Sequence, residues 1–178
     1  MIIVGIDPGL DGAIAILRSD TMQLDRVIDI PTMGANKGRV LNLALLQVEL
    51  TMCAIESVTC WLEHAASRPQ QSAGATFKQG RTYGNLEAMA VFLGWPVRTV
   101  TPAVWKQYFG LVSRSTRKQT RTEMKAASRA HATRMFTKHA ELFSRAKDDG
   151  RAEAALVALY GAEKMSLAGN TTTIGVTQ

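Results

Sequence analysis

The most constraining feature of the chain is the run Ile2-Ile3-Val4-Gly5-Ile6, cut off by Asp7-Pro8-Gly9. An unbroken apolar run rich in β-branched residues is the signature of a strand buried on both faces. The Asp-Pro-Gly turn stops it and continues through Leu10, Asp11 and Gly12. A second strand is expected at residues 13–17 and a third at 26–30, after a polar turn around 19–21. Links this short predict an antiparallel meander.

Leu41, Leu45, Val48, Met52 and Ile55 recur at helical spacing, which predicts an amphipathic helix over 39–55. Residues 57–62 read as a fourth strand ended by Glu63, and a polar link leads to a helical pattern over 75–93 that persists despite Gly80 and Gly84. A fifth strand at 97–100 and a short helix at 102–109, closed by Gly110, follow. Thr116 with Gln119 resembles a capping box that would open a helix running to about residue 136. A last, largely apolar helix covers 152–160. One domain is expected over 1–165, with a loosely held tail at 166–178.

At 178 residues and 46% hydrophobic content the chain suits one compact globule. Twenty-one Lys and Arg against fifteen Asp and Glu give +6 and a pI near 9.6, which favours a polyanionic partner. Cys53 and Cys60 are too few for a zinc site or a disulfide framework, so free thiols in a reducing compartment are expected. Asp7 inside the first apolar run argues against a signal peptide, and no uncharged run approaches membrane-spanning length. The expected location is cytoplasmic, with no membrane partner.

Three acids sit where an acid is costly unless something binds it. Asp7 and Glu63 each end an apolar strand, and Glu153 interrupts Ala152, Ala154, Ala155 and Leu156. Asp149 lies four residues before Glu153, on the same helical face if the last helix starts near it, while Asp148 points elsewhere. Like charges gathered in this way repel, and a hard cation that prefers oxygen ligands, Mg2+ or Mn2+, relieves the repulsion. Two such ions would activate a water and stabilise the leaving oxygen of a phosphodiester. The plainer alternative makes Asp7 a turn cap, Glu63 the partner of an arginine, and Glu153 helix surface.

Ile6-Asp7-Pro8-Gly9, Glu63 after a strand, and Asp149 to Glu153 opening an Ala-rich helix resemble the RuvC-type Holliday junction resolvases, most of all their compact phage form. The resemblance extends through Gly80 to Gly84, Pro102, Trp105-Lys106, Gly110 and Lys118-Gln119, and covers most of residues 1–160. It implies an α/β, RNase H-like fold with a mixed five-stranded sheet flanked by helices. It further implies a homodimer that makes paired, Mg2+-dependent nicks across a four-way DNA junction in recombination or repair. Asp7, Glu63, Asp149 and Glu153 would be the catalytic metal ligands, and Lys106 and Lys118 basic residues facing phosphates. Two departures stand out: the last ligand of the family is commonly Asp, one methylene shorter than Glu153, and the aromatic residue of the bacterial enzymes after the second acid is replaced by Ala65 and Ala66 beyond His64. Phe77 or Tyr83 would be substitutes, although helix packing is the simpler role for both.

Arg117, Arg121, Lys125 and Arg129 follow at four-residue spacing and line one ridge of a helix. Like charges so placed weaken an isolated helix, and a phosphate backbone turns that penalty into salt-sensitive attraction. Arg114, Lys118, Arg134 and Lys138 widen the patch, only Glu123 offsets it, and a solvated face is the alternative reading. His64 is read as polar surface, Asp11 as a turn former, Lys147 as a counter-charge to the acidic pair, and Trp61, Trp95 and Trp105 as core, with Trp105 placed to brace Lys106. Besides a junction-resolving nuclease, the pattern leaves open a junction binder that no longer cuts and a nuclease for other branched DNA or RNA. A sugar-kinase or actin-like ATPase also begins with such a strand but needs two lobes, for which the chain is too short.

Overall fold

The computed structural model describes residues 1–36, 38–51, 57–66, 70–112 and 119–171. Strands β1 (Ile2–Ile6), β2 (Ala13–Arg18) and β3 (Gln23–Asp29) form the expected antiparallel meander. Strands β4 (Thr32–Ala35) and β5 (Gly38–Leu41) form a separate hairpin, followed by helix α1 (Leu43–Thr51). The central sheet resumes with β6 (Val58–Glu63), then α2 (Ala73–Phe92), β7 (Val97–Val100) and α3 (Pro102–Tyr108). Helix α4 (Arg121–Met135), two 3-10 turns (Thr137–Phe143 and Ala146–Asp148) and α5 (Asp149–Thr171) complete the chain. Strand order in the mixed sheet is β3-β2-β1-β6-β7, with β6 parallel to both β1 and β7.

β1 is buried along its whole length because it is the middle strand and both its faces are covered. Ile2, Val4 and Ile6 point into a core shared with Leu46 and Leu50 of α1 and Leu86 and Ala90 of α2. Ile3 points the other way, into a core built with Trp105 of α3, Ala132 of α4 and the apolar face of α5. Period-two alternation thus splits one apolar run between two layers.

On the second face α5 lies directly on the strand. A Cβ added to Gly5 would stand 2.4 Å from both the Ala154 carbonyl oxygen and the Ala158 nitrogen, so only glycine permits the approach. Gly150 is tied in the same way, since a Cβ there would meet the Asp11 carbonyl oxygen at 2.5 Å. These contacts explain the small residues of α5: Ala154, Ala155 and Ala158 are fully buried, and larger side chains would lift the helix off the sheet.

Three expectations are corrected. Residues 39–55 do not form one helix: 38–41 pair with Thr32–Ala35, and α1 starts after Asn42, whose side-chain oxygen accepts from the Leu45 N–H at 3.1 Å. Asn36 and Gly38, the latter at φ +103°, favour a hairpin there over the helical periodicity. Residues 52–56, with Met52, Cys53 and Ile55, lie outside the described residues. The capping box is Thr120 with Glu123, so α4 opens at Arg121. Thr116, like Arg114, Arg117 and Lys118, lies outside the described residues. The last helix begins at Asp149, as the acidic spacing required, and runs past 160 to Thr171, while 172–178 of the expected tail lie outside the described residues.

Gly5→Ala should lower stability by roughly 2–3 kcal/mol or more, the upper range for overpacking, because backbone rather than a flexible side chain stands in the way. Urea unfolding measures it, and the strand-exposed Thr99→Ala is a control expected to change little.

Candidate active site

Parallel pairing brings the first two acids together. Ile6 stands beside Leu62 in the β1–β6 register, so Asp7 and Glu63 fall on the next rung, at the carboxyl ends of adjacent strands. Adjacent strands lie roughly 4.8 Å apart. The carboxyl edge of parallel strands is where α/β folds commonly open a crevice. α5 supplies the other pair: with its start held against the 9–12 turn, Asp149 and Glu153 point from one helical face toward the same edge. All four acids line one open cleft of about 820 Å³, together with Thr101, Pro102, Arg121 and Lys125.

Each acid has a distinct environment. Burial pushes the Asp7 carboxyl well above the usual carboxylate range, Glu63 and Glu153 push it further, Lys106 pulls it back, and Asp149 adds a smaller rise. Glu63 accepts a 2.7 Å hydrogen bond at Oε2 from the indole N–H of Trp105. Glu153, 8% exposed, takes Lys106 Nζ at 2.7 Å and the Ser128 hydroxyl at 3.3 Å, both on Oε1. Asp149 pairs with Lys125. Among the described residues no three His, Cys, Asp or Glu side chains are drawn together tightly enough to hold a metal ion. Four carboxylates facing one cleft, with burial and neighbouring acids raising Asp7, are the kind of oxygen donors that could hold a hard cation.

The basic ridge does not form an independent surface. Arg121 and Lys125 line the cleft, and Arg129 donates to the Ala146 carbonyl at 3.3 Å, just ahead of α5. Arg134 contacts His131 Nδ1 at 3.2 Å and Lys138 reaches Gln23, both away from the acids. Lys106 meets an acid instead of solvent. Lys147 is exposed, and the acids beside it take other partners.

Asp148, 2% exposed, does point elsewhere: Arg145 holds it through two guanidinium nitrogens, and Arg151, which also grips Asp29 at 2.6 Å through two nitrogens, lies 3.8 Å away. Hydrogen bonding from Arg145 keeps the Asp148 carboxyl below its ordinary value, and Arg151 does the same for Asp29. This clasp ties the start of α5 to the end of β3.

Asp11 pairs with Arg39 of the hairpin at the cleft rim, and His64 is exposed beside Tyr83. Phe77, expected to pack, is 71% exposed, whereas Tyr83 joins the α1/α2 core. Trp61 and Trp95 are core residues, and burial raises the Cys60 thiol to about 12, which leaves it inert. The sequence reading missed the Trp105–Glu63 bond and Ser128. The available signals were Trp105 beside Lys106, and Ser128 one helical turn beyond Lys125.

No family model and no curated protein matches the sequence. Solved structures do. The chain is similar to RuvC of T. thermophilus in complex with a Holliday junction substrate, at TM-score 0.61 and 18% identity over 94% of this chain and 96% of that one. A second T. thermophilus RuvC structure matches at TM-score 0.54 and 15% identity, over 94% and 97%. The protein has the RuvC-like, RNase H-like α/β fold, with the mixed five-stranded sheet flanked by helices that the resemblance implied.

The Asp148 clasp gives stability a defined acid limb. Asp148 and Asp29 have folded values below 3.8, so their contribution is complete above that pH and disappears as pH falls through the lower folded values. Asp148→Asn should therefore be less stable than the parent at pH 7. Denaturation series taken from pH 7 downward should show the difference shrinking as the pH falls through the lowered folded values.

Proposed function

We propose that the protein is a divalent-cation-dependent endonuclease that resolves four-way junctions, or related branched DNA, by paired nicks made in a homodimer. The observation that carries this reading is the convergence of Asp7, Glu63, Asp149 and Glu153 on one cleft that Arg121 and Lys125 also line, with Asp11 at the rim taken by Arg39. The fold shared with a protein solved on a Holliday junction supports DNA as the polyanion that the +6 charge calls for.

The four acids would hold Mg2+, or Mn2+, with two ions per site. Ions so bound would supply a water of lowered pKa and electrostatic stabilisation of the leaving oxygen. The chain's own residues do the rest. Asp7, raised by burial and by its neighbours, is the position most relieved by added positive charge. Lys106 and Lys125 neutralise Glu153 and Asp149 in the meantime, which limits repulsion across the cleft. Arg121, exposed on the rim, is placed to attract a phosphate backbone. Arg114, Arg117 and Lys118, which precede α4 in sequence, would extend that attraction, with Arg129 acting at the base of the ridge. Recombination, repair or phage genome processing in a bacterial cytoplasm would use such an activity.

One observation favours a second reading. Asp149 and Glu153, the two cleft acids of α5, already have lysine partners, and Glu153 is longer than the aspartate common in the family, a combination that suits a junction binder that no longer cuts. Cleavage of a labelled four-way junction with the metal varied separates the two, because a binder gives a shifted complex and no nicks.

Asp7→Asn should abolish nicking in Mg2+ while retaining junction binding in Ca2+ or EDTA; unchanged nicking would remove the metal-site argument. Its stability effect has the opposite sign to that of Asp148. The folded Asp7 value lies above 3.8, so its stabilising share is complete below that pH and is lost as pH rises through the folded value. The variant should consequently melt higher than the parent in EDTA at pH 7, by about 2–4 °C per kcal/mol relieved, and gain less from Mg2+. Arg121→Ala should weaken binding to all DNA sequences alike and reduce the slope of log K against log salt by about 1.

A further inference from the structure

Trp105 is the largest fully buried side chain in the protein, and packing would be a sufficient role for it. Its indole N–H nevertheless ends on Glu63 Oε2 at 2.7 Å, the short distance of a charge-assisted bond. Burial alone does not demand that pairing here, because Trp61 is buried with its own indole nitrogen unpartnered among the described residues. The neighbouring residue of α3, Lys106, grips Glu153 of α5 while its ammonium lies 4.9 Å from the centroid of the Trp105 ring. Two consecutive residues of one short helix therefore hold acids from two different elements, one at the end of β6 and one on α5.

From this geometry we infer that Trp105 is a positioning residue: its N–H fixes one oxygen of Glu63, orienting the other as an oxygen donor toward the cleft, and its ring face steadies the lysine that holds Glu153. The inference rests on the proposed cation site and names the part of the chain that prearranges it. A glutamate has three side-chain torsions to immobilise, and a donor anchored in the core removes that freedom before any ligand arrives. Phenylalanine would fill much of the same space but lacks the donor, so it separates positioning from packing.

The test uses Trp105→Phe in the full chain, with Mn2+ binding followed by the electron-spin signal of the free ion, DNA absent. Mn2+ affinity should fall about 10-fold, the lower end for losing a partner that orients a ligand, while junction affinity in EDTA stays within twofold of the parent. Unchanged Mn2+ affinity overturns the inference, and so does an equal loss of junction affinity, which would mark general disorder. A second measurement does not depend on how well that variant folds. The indole N–H proton resonance of Trp105 should lie downfield in the parent and move upfield in Glu63→Gln; a resonance that does not move overturns the inference. Failure of the underlying reading looks different: the parent itself would bind no Mn2+ that Asp7→Asn diminishes, even with the resonance shift intact, and the positioning role toward a cation would fall with it.

Discussion

The seating of α5 on β1 is the contact on which the rest of the molecule depends. Helix backbone against strand backbone, with Gly5 leaving no Cβ between them, is a closer approach than ordinary side-chain packing allows. It accounts for the alanines along α5 and the full burial of β1. It also fixes the height and rotation at which Asp149 and Glu153 emerge over the carboxyl edge of the sheet. A helix one side chain farther away would carry the same residues past Asp7 without bringing them into its cleft.

Two further constraints act on the same helix. Gly150 seats its first turn against the loop that follows Asp7, so the strand-end acid and the helix acids share a common support. The Arg145–Asp148–Arg151–Asp29 clasp holds that turn from outside. The charges in the clasp and those in the cleft are adjacent in sequence but have opposite consequences: Asp148 is stabilised in its ionised form by arginines, whereas Asp7 is destabilised in that form by burial and by other acids. Neighbouring carboxylates thus divide into those that arginines hold ionised to build the scaffold and Asp7, whose ionised form burial and the other acids disfavour.

Much of this was legible from residue order. The apolar run closed by Asp7, the acid ending the fourth strand of the central sheet and the Asp149 to Glu153 spacing located the four cleft acids, because strand-end and helix-face periodicities are local properties. The β4–β5 hairpin was not legible in the same way. A helical spacing of leucines and valines overlapped a turn-forming stretch, and Leu41 serves the core from the end of a strand instead of from a helix. The basic ridge was recognised as a ridge, but its direction was not: Lys125 and Arg129 turn to Asp149 and Ala146, since α4 packs along α5.

What the sequence by itself determined was which residues are chemically costly to bury and which elements carry them: acids at the ends of apolar segments, an excess of lysine and arginine, and small residues along the last helix. Only the tertiary structure decided which partner each acid meets. Trp105 reaches Glu63 across 42 positions and Lys106 reaches Glu153 across 47. Pairings at that separation are set by how helices α3 and α5 lie on the sheet. No periodicity within a single element encodes that arrangement.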